Sequence, residues 1–110
     1  MAVTRYDLIV DQGSDYERSF PVLAAGGQGQ DITGWTVAGQ IRDSYAPTAA
    51  LLHTLTVTVS GSNVVVQIPK TVSRDWTWRL ARYDVEITTP GGATSRFLEG
   101  AVVVNPEITR

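Results

Sequence analysis

Cysteine is absent from the 110 residues, and histidine occurs once, as His53. Without cysteine there is neither a disulfide framework nor a thiolate metal site. A chain of this length is expected to hide roughly 65% of its unfolded surface, enough for a core without covalent staples. Basic excess is missing too. The formal charge is −2 and the isoelectric point is near 5.2, which removes the electrostatic footprint of a nucleic-acid binder. No apolar run approaches the roughly 20 residues that span a bilayer, so no membrane insertion is expected. The opening MAVTRYDLIVDQG carries charges inside its apolar stretch and has no long hydrophobic region. It therefore does not read as a signal peptide, and synthesis in the cytoplasm is the expectation.

What is present is two-residue alternation, punctuated by turn residues. In residues 82–88, Tyr83, Val85 and Ile87 alternate with Asp84, Glu86 and Thr88, the period of a strand with one face in a core. Pro90, Gly91 and Gly92 then break the run. The following run places Leu98, Gly100, Val102 and Val104 on one side and Phe97, Ala101 and Val103 on the other. Being apolar on both faces, it reads as an interior strand.

Earlier in the chain, Tyr6, Leu8 and Val10 alternate with Asp7, Ile9 and Asp11, predicting a strand over 3–11. Residues 12–15 form a turn, and 16–23 resume as a strand. Pro21 places that strand at an edge or a bulge, because proline donates nothing to a ladder. The loop AAGGQGQ follows. In DITGW, Ile32 is placed to plug one end of the fold and Gly34 to supply an unusual φ. Residues 36–43 form another strand, then the loop SYAPTAA, expected to be the most mobile. A clean hairpin over 52–59 and 64–69 follows, turning at Ser60-Gly61-Ser62-Asn63.

Residues 70–80 are the one helical candidate. Thr71 or Ser73 is placed to cap it, and Val72, Trp76 and Leu80 fall at four-residue spacing. Trp76, Trp78 and Leu80 also alternate as a strand would, which leaves both readings open. Tyr83, opening the next strand after this crossover, is reminiscent of the tyrosine corner of immunoglobulin-like sandwiches. Seven or eight short strands with at most one helical turn predict an all-β chain, one antiparallel immunoglobulin-like β-sandwich over 1–110. Strand spacing also fits a barrel.

Chemistry-bearing patterns are sparse. His53 lies in a strand and reads as a packing or surface residue. Asp84 and Glu86 share a face and read as the solvated side of a sheet, paired across the hairpin with Arg96. Asp11 to Asp15 lacks the spacing and the closing glutamate of a calcium loop. The glycines of AAGGQGQ lack the Lys-Ser/Thr and the frame of a phosphate cradle. No catalytic residue, metal or cofactor is expected. Of Trp35, Trp76 and Trp78, at least one is expected in the core. Trp76 and Trp78 do not share a helical face, so one of them is the interface candidate.

The order of motifs has a counterpart. An N-terminal strand leads to Gly13 and an acidic residue; DITG at Asp31 to Gly34, an Ile41-Arg42 strand and a segment opened by Thr71 follow. The chain closes on YDVEI, a glycine-rich turn, LEGAVVV and PEITR. This order resembles the small LtfC-like β-sandwich family of tailed bacteriophages and, more loosely, the N-terminal domain of phage upper baseplate proteins. Where that pattern has a glycine before the tyrosine, this chain has Arg82. The resemblance implies a virion structural part with no enzymatic activity: an adaptor or decoration on tail, baseplate, neck or head. Its implied partners are other virion proteins, in multiple symmetric copies. The expected interface is an edge strand with the two loops, represented by Gly26, Gly27, Gln28, Tyr45 and Pro47, together with Trp78. A stand-alone immunoglobulin-like module for a glycan or a protein is the alternative.

Overall fold

Alternating apolar residues do form strands here, and one of those strands folds the sheet on itself. The computed structural model describes residues 3–109. The strands are β1 (Thr4–Arg5), β2 (Leu8–Asp11), β3 (Tyr16–Pro21), β4 (Thr36–Arg42), β5 (Leu51–Ser60), β6 (Asn63–Ile68), β7 (Leu80–Thr88) and β8 (Thr94–Asn105). They follow the order β1-β8-β7-β4-β5-β6-β3, with β2 also on β8. Strand β5 belongs to two layers: Leu51 to Leu55 pair with β4, whereas Thr56 to Ser60 pair with β6. The sheet thus curls into a β-sandwich. Leu8, Val10, Ile41, Leu55, Val85, Ile87 and Leu98 from the first layer meet Phe20, Val64, Val66 and Ile68 from the second in one buried cluster. Each such aliphatic or aromatic side chain contributes about 1.5–3 kcal/mol when fully buried.

Most pairings are antiparallel, but β1 and β2 run parallel to β8. Strand β8 is interior in the sheet, with β7 on one side and β1 and β2 on the other. Strand β3 is an edge, paired with β6 alone and ending at Pro21. The two ends of the sheet approach where the Tyr6 ring stands edge-on to Phe20, centroids 5.0 Å apart.

A β-bulge corrects the simple facing of β8. Val85 pairs with Leu98 and Glu86 with Arg96, so Phe97 is the extra residue. The bulge re-aims it, and Phe97 and Leu98 are both buried.

The helical reading of 70–80 holds for one turn. Helix α1 spans Lys70–Ser73, and Leu80 already belongs to β7. Neither Thr71 nor Ser73 caps it. The carboxylate of Asp15 accepts from the Lys70 amide at 2.8 Å, while Ser73 is buried and its hydroxyl accepts from the Gly13 amide at 2.9 Å. The turn after β2 therefore holds the helix from both sides.

Tyr83 does not make a tyrosine corner. It sits within β7, and its hydroxyl crosses β8 to donate to the Tyr6 carbonyl at 2.6 Å. That carbonyl lies over Gly100, where an added methyl would collide with it. Here the chain breaks between β1 and β2, and the Asp7 carboxylate accepts from the Ala101 amide at 2.9 Å. Gly100 is thus required by close approach of backbone, with burial pushing the ionisation of the Tyr83 hydroxyl upward. Ile32 is fully buried at one end and Gly34 has φ +86°, both as the sequence led us to expect.

Candidate docking surfaces

Strands with one face in a core show water the other face, which ordinarily carries polar side chains. On the first layer this rule fails at one place. Ile9 pairs with Val103, and Leu80 pairs with Val103 from the other side. Paired residues share a face, so the three side chains form a row across β2, β8 and β7. Their in-strand neighbours Leu8, Ala81 and Val102 are buried, so the row points outward. Ile9 is 52% exposed and Leu80 57% exposed.

The loop 44–50 lies on the same face, over the next cross-strand row at Arg82. The Tyr45 hydroxyl donates to the Gly100 carbonyl at 3.1 Å, and the Arg82 guanidinium lies 6.0 Å from the Tyr45 ring centre. Arg42 pairs with both Arg82 and Leu51, bringing the exposed Leu51 onto the same face. The loop is tied down: Arg42 donates to the Ala49 carbonyl at 2.9 Å, and the Asp43 amide donates to the Ala50 carbonyl at 3.2 Å. Further along the face, Arg96 meets the Asp84 carboxylate at 3.4 Å, the cross-hairpin pair that the spacing predicts.

Beside the row, at the end of the sandwich where β7 begins, lies a second feature. A groove of about 820 Å³ runs between the irregular segment 74–79 and the C-terminal residues after β8. Gln12 holds both walls. Its amide nitrogen donates to the carbonyls of Arg74 and Trp76, at 3.1 and 2.9 Å, and its oxygen accepts from the Glu107 amide at 3.1 Å. Trp76 is buried with Trp78 on its ring, centroids 4.5 Å apart, and His53 edge-on at 5.8 Å. His53 Nε2 is enclosed without a hydrogen-bond partner, and burial lowers the pKa of the imidazole. The two indoles stack because the segment is not helical, which overturns the inference that they must face apart.

The six residues singled out from sequence fall into two groups. Tyr45 lies on the face of the apolar row, Pro47 is exposed on the same loop, and Trp78 is half-buried beside the groove. Gly26, Gly27 and Gln28 lie in a small exposed turn closed by Ala24 donating to the Gln28 carbonyl at 2.7 Å. That turn follows Pro21, which pairs with Asn63, so it belongs to the opposite end of the sandwich. The six do not make one continuous surface. Ile9, Leu80 and Leu51 were missed. The signal for Ile9 was legible, since it interrupts Asp7 and Asp11 on what should be a polar face.

No family model matches the chain, and no curated protein matches it. Among solved structures, a family 123 glycoside hydrolase from Clostridium perfringens, described for glycolipid glycan hydrolysis, aligns with 100% of this chain and 24% of its own length. The identity is 9% and the TM-score 0.46, a likeness too distant to bear on what this chain does.

Proposed function

We propose that this protein works by assembly, as a β-sandwich docking subunit of a tailed-phage virion, an adaptor or decoration on tail, baseplate or neck. The observation that carries the docking part is the outward row of Ile9, Val103 and Leu80, with Tyr45 and Leu51 also exposed on that face. Contiguous apolar surface on a soluble domain marks a place where something else sits. Covering Ile9 and Leu80 fully is worth about 1 kcal/mol or more each, since both are already half covered. Repetition around a symmetric particle multiplies such modest contacts. The virion setting is supported by the motif order, from DITG through YDVEI to LEGAVVV.

The edges of the sheet favour selective docking over self-polymerisation. Strand β3 carries Glu17, Arg18 and Pro21, and the other edge is split into β1 and β2. Mass spectrometry of purified particles tests the whole reading. The protein is expected among the structural components in stoichiometric amount, and its absence from particles would leave the stand-alone binding module as the better account. A variant carrying Ile9→Asp and Leu80→Asp is expected to fold and to be lost from particles.

A further inference from the structure

We infer that the groove beside Trp76 is built to hold an extended acidic segment of a partner protein, gripped by Arg74 and Arg79. The inference rests on the docking reading for the existence of a protein partner, and it concerns a different surface from the apolar row.

Charge is the first argument. Arg74 and Arg79 both line the groove. Among the described residues the ion pair is Arg96 with Asp84, so neither groove arginine has a carboxylate within ion-pairing distance. The one polar side-chain contact between them is Arg79 donating to the Trp78 carbonyl at 3.3 Å. Guanidinium groups in a concave site present forked donors that match carboxylates. Glu107, on the opposite wall, lies against Gly13.

Shape is the second. The three hydrogen bonds of Gln12 fix the walls before anything arrives, so little ordering is required on binding. Burial of the aromatic rings favours a peptide over a sugar. A sugar platform needs an open aromatic face, but Trp76 is only 9% exposed, with Trp78 across its ring and His53 at its edge. The groove therefore offers charge and backbone, without a stacking surface.

The test uses the full chain titrated at low salt with an acetylated, amidated peptide of alternating glutamate and glycine. Tryptophan fluorescence and amide NMR shifts are the readouts. Shifts are expected to cluster at residues 74–79 and at the Trp76 indole, and to fade with added salt. The peptide with glutamine in place of glutamate is expected to leave them unmoved. Replacing both arginines, Arg74→Gln with Arg79→Gln, is expected to weaken binding about tenfold; both are exposed, so the variant folds. Equal binding of the glutamine peptide, shifts mapping elsewhere, an unaltered double variant, or tighter binding of a uronic-acid oligosaccharide would each overturn the inference. The outcomes separate from the virion reading. A particle-borne protein that ignores the peptide loses only the groove, and a peptide binder absent from particles loses only the virion.

Discussion

The two layers of this sandwich show different faces to their surroundings. On the second layer, Glu17 pairs with Gln67 and Gln67 with Thr56, while Ser19 pairs with Val65 and Val65 with Thr58. Gln67 donates to the Glu17 carboxylate at 2.6 Å. Apart from Val65, that face carries polar side chains. On the first layer the corresponding position holds Ile9, Val103 and Leu80 side by side. Both layers pack their inner faces into the same buried cluster, so the contrast is not one of poor folding. It lies in the outer side of the first layer, where Ile9 and Leu80 stay exposed.

The comparison breaks most severely if the scaffold beneath the apolar row is removed. Gly100→Ala drives a methyl into the Tyr6 carbonyl and is expected to cost about 1–3 kcal/mol, measured by urea unfolding. Next in size, Ile9→Asp with Leu80→Asp is expected to leave stability within about 0.5 kcal/mol per site. The same variant should weaken association about tenfold or more, read by particle incorporation. If both stability and association survive, the row is ordinary surface.

A smaller effect comes from His53. Its folded pKa is depressed by burial from the ordinary 6.5, so the unfolded chain takes up the proton first. Its contribution is therefore whole above about pH 6.5 and is lost as pH falls through the folded value. Urea midpoints compared at neutral and mildly acid pH should drop for the native chain and drop less for His53→Gln. The smallest change belongs to the polar face: Thr58→Asp is expected to alter neither midpoint nor association, and a loss of association there would erase the distinction between the layers.

Much of this architecture was legible because alternation is imposed by backbone geometry. Tyr83, Val85 and Ile87 had to share a face whatever their partners were. Partner choice leaves no such mark. Nothing in Thr4 or Leu8 announces a parallel pairing with β8, and nothing in RFLEG announces that Phe97 is the bulged residue. Leu80 stayed open between helix and strand because Val72, Trp76 and Leu80 fit a helix by spacing and Trp76, Trp78 and Leu80 alternate. The turn at Asp15 and Ser73 decides it, since the helix ends after one turn. The apolar row is not legible for a related reason: its three members come from three strands, and only register brings them together.

The strand shared by both layers has a mechanical consequence. Because β5 passes unbroken from its pairing with β4 to its pairing with β6, the halves are joined by continuous peptide rather than by a loop that can slacken. A tug on the outer side of the first layer is carried along that backbone into β6, and the amides of both halves should become exchangeable in one concerted opening. A domain so joined would carry load from one layer to the other without first coming apart between them.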